Sequence, residues 1–213
     1  MNPIFDFFFE IYSGRPTHLI VLEAIAFVTG IASVILAKKE HIGVYPTGLI
    51  ATTITVYLFW VDQLLGDMMM NFYYSIMSIY GWYNWARKKE GDPVVHISKT
   101  TSKERWIGAV LCLFTMAVTY GVYRGFNVEL GPLNYIDILT SGIFFTAMWY
   151  MANKKIANWS LWILGDCITV PLYGYRGWGM FAMQYLVFTI LAIQGYRAWK
   201  KSYQSNLTEA SLP

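Results

Sequence analysis

The sequence predicts an all-α membrane protein with seven transmembrane helices. Of its 213 residues, 56% are hydrophobic and only 14% are charged, whereas soluble proteins average about 45–50% apolar and about 25% charged residues. A helix needs about 20 residues to cross the hydrocarbon core of a bilayer. Seven stretches are long enough: residues 17–37, 42–62, 66–86, 106–124, 135–153, 157–175 and 178–199.

The distribution of basic residues supports this number of helices and predicts their orientation. Thirteen of the sixteen Lys and Arg residues lie in alternate connections on one side, and Arg15, Arg124 and Arg176 lie on the other. Lys and Arg in short loops stay in the cytoplasm. We therefore expect the N-terminus outside and the C-terminus in the cytoplasm. The net charge of +3 follows from this topology, and no nucleic-acid partner is expected.

The sixth predicted helix carries an acid and several aromatic residues on one face. At 100° per residue these side chains share about a third of the helix circumference: Trp159, Trp162, Asp166, Thr169 and Tyr173. A carboxylate in hydrocarbon costs about 2.5–3.5 kcal/mol on insertion scales, so it normally faces inward and has a function. Two indole rings beside a carboxylate are suited to binding a flat organic cation.

Two further helices offer polar side chains at membrane depth. In the third predicted helix, Asn71 and Tyr74 belong to a polar stripe that begins at Asp67. Such a stripe either pairs helices or lines a cavity, and we favour the cavity. In the last helix, Gln184 could bond a ligand or another helix. The candidate substrate-binding residues are Trp159, Trp162, Asp166, Asn71, Tyr173, Gln184 and Tyr74.

Other features have simpler interpretations. The tryptophans at the ends of predicted helices are typical of an aromatic belt at the membrane interface, and Trp159 lies close enough to an end for this to apply to it too. Cys112 and Cys167 lie inside predicted helices, where they are expected to pack. Neither a disulfide framework nor a metal-binding Cys spacing is present. No catalytic residue, metal site or cofactor is expected.

The sequence also suggests an internal repeat. Lys38-Lys39 and Tyr57 match Lys154-Lys155 and Tyr173 at an offset of 116, and Gly81 and Trp85 match Gly195 and Trp199 at 114. These matches align helices 1–3 with helices 5–7, and helix 4 allows both triplets to keep one orientation. The expected organisation is an interfacial segment (1–16), a first repeat (17–86), a cytoplasmic loop with linker helix 4 (87–134), a second repeat (135–199) and a cytoplasmic tail (200–213). Parallel repeats with a ligand at their interface are a transporter architecture.

Two motifs resemble the PnuC family of vitamin transporters. They are W-x-x-W-x-x-x-D at Trp159, Trp162 and Asp166, preceded by Ala157-Asn158, and I-Y-G-W-Y-x-W from Ile79 to Trp85. The resemblance covers essentially all seven helices. It implies a 3+1+3 arrangement similar to that of SWEET sugar transporters and facilitated diffusion of nicotinamide riboside, which intracellular phosphorylation traps. It also implies homotrimers for at least some members, a functionally coupled cytoplasmic kinase and a location in the bacterial inner membrane.

One departure from the family pattern leaves the substrate open. Nicotinamide riboside members usually have Asn where this chain has Asp166, and G-D-M-M-M-N around Asp67 and Asn71 resembles the thiamine-associated PnuT branch. Both vitamins contain a flat nitrogen cation that a carboxylate could pair with. Nicotinamide riboside is the first expectation and thiamine is the alternative.

Two other classes of seven-helix protein fit the sequence less well. A retinal-binding sensor needs a Schiff-base lysine within its last helix, and helix 7 has none before Lys200. An intramembrane enzyme needs catalytic groups at membrane depth, but His18, His41 and His96 all lie in predicted loops or helix ends. No G-x-x-x-x-G-K-[ST] phosphate loop is present to couple transport to ATP. A uniporter is therefore expected.

Overall fold

The computed structural model of the protein describes residues 14–62, 65–127, 129–177 and 179–209, with Leu65 and Glu209 described by their backbone alone. Most of the predicted interfacial segment (1–16) and the end of the predicted tail lie outside the described residues. Both therefore stay predictions.

The described chain contains seven α-helices, which confirms the predicted number and the all-α class. They are α1 (Thr17–Lys38), α2 (Val44–Val61), α3 (Leu65–Ala86), α4 (Ser102–Gly125), α5 (Pro132–Ala152), α6 (Ala157–Tyr175) and α7 (Gly179–Glu209). By length and composition, α1, α2, α4 and α7 are apolar enough to cross a membrane. Helices α3, α5 and α6 are less apolar, and α3 and α6 carry most of the aromatic, acidic and polar residues predicted for the site.

The structure differs most from the sequence prediction at two helix ends and in one connection. Helix α4 begins four residues earlier than predicted because Thr101 and Glu104 form a capping box: the Glu104 amide donates to Thr101 Oγ1 at 3.2 Å, and the Thr101 amide donates to Glu104 Oε2 at 2.8 Å. Helix α7 continues ten residues past position 199. The connection after α3 contains a short antiparallel hairpin of β1 (Lys88–Lys89) and β2 (Asp92–Pro93), which was not predicted.

Six of the helices pack as a closed ring. Helix α1 packs on α2 and α2 on α3, while α5 packs on α6 and α6 on α7. The ring closes where α3 packs on α5 and where α7 packs on α1. Helix α4 packs mainly on α5, and much of its outer face is exposed, including Trp106 with 74% of its surface accessible. In a membrane that face is suited to contact lipid.

The same three-residue contact occurs in both triplets of helices. In the first, the Tyr45 ring lies against Gly81 and meets the Trp85 ring edge-on at 5.1 Å between centroids. In the second, the Trp159 ring lies against Gly195 and meets Trp199 edge-on at 5.4 Å. We call these two sets the aromatic–glycine contacts. Both join the second helix of a triplet to the third, and each needs a glycine because a ring occupies the space of its side chain.

The aromatic–glycine contacts predict an effect on stability. A Cβ built on Gly195 would lie 2.6 Å from Trp159, which is fully buried. We expect Gly195→Ala to destabilise the fold by about 1–3 kcal/mol through overpacking, despite the higher helix propensity of Ala. Thermal unfolding of purified protein measures this as a lower midpoint.

Gly121→Ala is the matched control, because Gly121 lies within α4 and a Cβ added to it would meet none of the described atoms within 4 Å. We expect its midpoint to be unchanged or higher. An equal fall in both variants would show that the ring against Gly195 is not the cause.

Candidate functional site

The ring of helices encloses a cavity of about 660 Å³. Its volume is within the range of about 300–1,000 Å³ typical of small-molecule sites. All seven predicted site residues line it: Trp159, Trp162, Asp166, Asn71, Tyr173, Gln184 and Tyr74. The predicted residues belong to α3, α6 and α7. They are distant in the chain, and the fold places them around one cavity. Whether they bind a substrate stays a prediction.

The Asp166 carboxylate is the most distinctive group in this cavity. The residue is only 2% exposed, and no described residue donates a hydrogen bond to its side chain or forms an ion pair with it. Gly165, beside it in α6, lies against the Phe144 ring, which brings α6 close to α5. A buried carboxylate without a partner is costly. Such a group is suited to receive a cation or a hydrogen-bond donor from a ligand.

Aromatic rings share the cavity wall with Asp166. The Trp162 ring is stacked on Phe144, with 5.4 Å between centroids and 28° between planes, and it lies 6.1 Å from Tyr74. Tyr185 is also stacked on Phe144, at 6.1 Å. Trp162 is only partly buried, so part of its ring remains available to a ligand. The wall presents aromatic faces of the kind that attract planar cations.

Trp159 has a different environment from Trp162. It is 1% exposed, its ring contacts Gly195 and Trp199, and its Nε1 has no hydrogen-bond partner among the described residues. It lines the cavity at the end near Tyr45 and Ala37. The structure thus gives Trp159 a packing contact that the sequence did not predict, in addition to its place on the cavity wall.

The remaining predicted residues offer polar atoms to the cavity. Asn71 Nδ2 donates to the Asp67 carbonyl at 2.9 Å, so the helix fixes the amide and its Oδ1 stays available. Tyr173 is buried, with its ring 5.3 Å from Tyr185. No described residue hydrogen-bonds the Gln184 amide. This disfavours the alternative in which Gln184 serves only to pair helices.

Several lining residues were not predicted as site residues. Phe144 supports Trp162, but it has no polar neighbour in the sequence to distinguish it from other apolar residues of α5. The opposite wall carries small and hydroxyl side chains, including Ser33 and Thr52. Thr52 Oγ1 and Ser75 Oγ share a hydrogen bond of 2.8 Å.

The charged residues on the cavity wall are mostly acidic. Among the described residues that line it, Arg15 is basic, and Glu23, Asp62, Asp67 and Asp166 are acidic. The Arg15 guanidinium donates to Asp62 at 2.8 Å and lies 3.9 Å from Glu23. The wall is therefore net negative, which favours cationic ligands over anionic ones.

A smaller cavity of about 340 Å³ lies between α3, α4 and α5. Asp67, Phe144 and Tyr185 line both cavities, so these side chains separate them. Asp137 lines the smaller cavity and forms two hydrogen bonds with Arg176, at 2.6 and 3.3 Å. Burial alone would lower the pKa of Arg176, but its hydrogen bonds with Asp137 and the charge of that carboxylate raise it overall. Arg176 therefore stays charged.

The chain matches a described family over most of its length. The family model, whose description is nicotinamide mononucleotide transporter, covers residues 20–201. The chain belongs to the PnuC family of transporters. This confirms the resemblance seen in the two motifs, and it makes the chain a member of a transporter family and not of an enzyme family.

Individual relatives agree with this assignment. The nicotinamide riboside transporter PnuC of Escherichia coli is 24% identical over 204 residues, covering 85% of each chain. The PnuC of Neisseria mucosa is 24% identical over 192 residues, covering 84% of this chain and 72% of the relative. The riboflavin/roseoflavin transporter RibM of Streptomyces davaonensis is 23% identical over 187 residues, covering 85% of each. The related proteins thus carry different vitamins.

The fold is also similar to a solved structure. The crystal structure of the vitamin B3 transporter PnuC superposes with a TM-score of 0.68 at 22% identity, covering 84% of this chain and 80% of that chain. At this identity the likeness concerns the fold. The cavity described above therefore lies within a fold similar to that of PnuC.

The buried Asp166 and the partly buried Asp137 predict opposite effects on stability in the absence of ligand. Asp166→Asn replaces a charge that no described residue pairs with by a neutral amide, so we expect it to stabilise the fold by about 1–3 kcal/mol. Asp137→Asn breaks a paired carboxylate and removes the counter-ion of Arg176, so we expect it to destabilise. Thermal unfolding of the purified variants at alkaline pH, which favours the ionised carboxylates, gives both midpoints.

Both substitutions remove one negative charge and change the volume of the side chain little. A difference between their midpoints therefore reflects whether the carboxylate has a partner within the protein. A fall in midpoint for Asp166→Asn as large as that for Asp137→Asn would show that Asp166 has a stabilising partner within the protein.

Proposed function

We propose that this protein carries a flat, cationic vitamin across the membrane by facilitated diffusion. Nicotinamide riboside is the first candidate substrate and thiamine is the alternative. Membership of the transporter family is the starting point. The single observation that favours a cation is Asp166, a buried carboxylate on the wall of the central cavity that has no partner among the described residues.

Asp166 supports the proposal through its charge. A cationic ring would pair with a carboxylate that the described part of the protein leaves unpaired, so the ligand would recover part of the cost of burying that charge. This gain exists only in the complex and therefore contributes to affinity. In thiamine, an aminopyrimidine group could also donate a hydrogen bond to the same oxygen atoms.

The neighbouring aromatic rings would orient the substrate. The half-buried Trp162, supported from behind by Phe144, offers a face for stacking on a planar ring. Tyr74 lies close to it on α3. Asn71, Gln184 and Tyr173 would bond the polar groups of the vitamin, and Trp159 would close the end of the site.

The charge of the cavity wall also separates substrates within the family. A nucleotide such as nicotinamide mononucleotide carries a phosphate, which would meet a net negative wall where Arg15 already pairs with Asp62. Riboflavin has a flat ring but no cationic charge for Asp166 to pair with. We therefore expect a nucleoside-like or thiamine-like cation to bind more tightly than either.

We further propose that transport follows the repeat organisation predicted from the sequence. In the ring, α1–α3 and α5–α7 form two triplets, α4 lies outside, and the two aromatic–glycine contacts are equivalent. These observations support a 3+1+3 arrangement similar to that of the SWEET transporters. Rocking of one triplet against the other would expose the central site to each side in turn.

The protein would lie in the bacterial inner membrane with its C-terminus in the cytoplasm, as the distribution of basic residues indicates. A cytoplasmic kinase would trap the vitamin by phosphorylation and so maintain the inward gradient. A homotrimer is implied by the family resemblance.

Calorimetric titration of the purified protein with each vitamin tests the substrate. We expect nicotinamide riboside or thiamine to bind, and Asp166→Asn to weaken that binding by about 10- to 100-fold because the counter-ion is lost. Riboflavin and nicotinamide mononucleotide serve as the neutral and anionic comparisons. Asp92→Asn is the control, since Asp92 lies in the exposed hairpin.

Unchanged affinity in Asp166→Asn would remove the counter-ion role, and tight binding of riboflavin alone would overturn the choice of a cation.

Exchange in proteoliposomes tests the proposed uniport. If no ion gradient drives transport, labelled vitamin should equilibrate across the membrane at the same rate with and without proton or sodium ionophores. The wild-type protein should also catalyse exchange of labelled for unlabelled vitamin. An ionophore that abolishes equilibration would indicate ion coupling instead.

A further inference from the structure

The central cavity is closed at one end by contacts between the two triplets. We call this the basic end, because Lys38 at the end of α1, Lys39 in the turn after it, and Lys154 and Lys155 in the turn after α5 lie there. Trp199 Nε1 in α7 donates to the Ala37 carbonyl of α1 at 2.9 Å, and Asn84 Nδ2 in α3 donates to the Ala152 carbonyl of α5 at 2.8 Å. Each bond thus joins the last helix of one triplet to the first helix of the other.

One ion pair at this end joins equivalent positions of the two triplets. Lys154 Nζ lies 3.6 Å from Glu40 Oε2. Both residues occupy the second position after their helix, α1 or α5, and both have a positive φ, 56° for Glu40 and 48° for Lys154. The structural offset is 114, as for the glycines, so Glu40 rather than Lys38 is the equivalent of Lys154.

The backbone at these two positions favours glycine. A positive φ is uncommon for other residues, and helices often end in a glycine with this conformation. The protein instead has two side chains of opposite charge that meet each other. Lys154 also lies 4.6 Å above the centroid of the Trp85 ring, and Ser202 of α7 donates to Glu40 at 2.9 Å. The charged groups therefore give a specific contact between the triplets.

Two tryptophans close the same end below the ion pair. Trp85 and Trp199, the equivalent members of the aromatic–glycine contacts, lie 6.0 Å apart between ring centroids. Three buried polar groups at this end have no hydrogen-bond partner among the described residues: the Tyr45 hydroxyl, Trp85 Nε1 and Trp159 Nε1. Buried polar groups normally have partners. Separation of the triplets would let water reach these three, so the closed arrangement is disfavoured by a cost that opening removes.

The opposite end has ion pairs of another kind. Arg15 pairs with Asp62 and Arg176 pairs with Asp137, so each of these pairs stays within or beside one triplet. The cavity wall continues to Arg15, Glu23 and Asp62 at this end. Among the described residues, the ion pair that joins one triplet to the other is Glu40–Lys154. It lies at the basic end.

We infer that the Glu40–Lys154 ion pair, together with the Trp85–Trp199 contact, is the gate at the basic end of the transport cavity. The inference rests on the proposed movement of one triplet against the other. In this conformation the gate is closed. Opening it separates Glu40 from Lys154 and Trp85 from Trp199.

A reversible cross-link tests the gate directly. In a Cys112→Ala, Cys167→Ala background, Glu40→Cys and Lys154→Cys are joined by a short bis-methanethiosulfonate. We expect transport of the vitamin that binds in calorimetry to stop, binding to persist, and reducing agent to restore transport. Transport that continues through the cross-linked protein would overturn the gate.

Thiol labelling gives a second test that needs no substrate. Met151→Cys lies at the basic end of the cavity wall. In the same Cys112→Ala, Cys167→Ala background, it reports access by a membrane-impermeant methanethiosulfonate from the basic side. Lys154→Gln and Lys154→Gly should raise its labelling rate about five- to ten-fold. The glycine variant suits the positive φ, so it should fold well.

Lys155→Gln is the matched control, because it breaks a neighbouring ion pair, with Glu104 at 2.8 Å, that leads to α4 and not to the first triplet. Its labelling rate should stay unchanged. Equal rates in Lys154→Gln, Lys154→Gly and Lys155→Gln would overturn the gate. If no vitamin binds but labelling rises only in the Lys154 variants, the substrate proposal fails and the gate stands.

Discussion

The central constraint on this protein is one carboxylate, Asp166, which is buried without a partner among the described residues. In water the carboxylate would be solvated, and in lipid its charge would be strongly disfavoured. The ring of six helices provides a third environment, a cavity whose wall combines aromatic faces with a few polar atoms. The unfavourable free energy of that buried charge is what a cationic ligand can relieve. Affinity and stability are therefore opposed at this residue.

The walls of the cavity are held by apolar packing and by glycine. Tyr45 over Gly81 and Trp159 over Gly195 bring the second and third helices of each triplet close together. Similarly, Gly165 allows Phe144 to lie against α6 and to support Trp162. Because protein interiors are close-packed, these contacts let each triplet behave as a unit. The contacts between triplets are fewer, which is suited to relative movement.

Much of the fold was predictable from the sequence because membrane helices have strong constraints. Hydrophobic length predicted all seven helices, and the face shared by Trp162 and Asp166 predicted the wall of the cavity. Helix ends were less predictable: α4 begins early through the Thr101–Glu104 capping box, and α7 extends beyond its apolar part. These ends depend on hydrogen bonds and packing outside the bilayer, which hydropathy does not describe.

Features that arise from tertiary contact were beyond sequence reasoning. Phe144 looks like any apolar residue of α5 until α6 is packed against it. Glu40 and Lys154 are 114 positions apart, and their pairing appears only when the two triplets are brought together. The aligned lysines suggested an offset of 116 at this point of the repeat, whereas the ends of α1 and α5 give 114.

The most direct test of the counter-ion hypothesis is an experimental structure of the protein with nicotinamide riboside or thiamine bound. The cationic ring should stack on Trp162, with its charged nitrogen within about 4–6 Å of an Asp166 oxygen. A vitamin bound elsewhere in the cavity, or an Asp166 side chain that faces lipid or pairs with a basic residue of the protein, would contradict it.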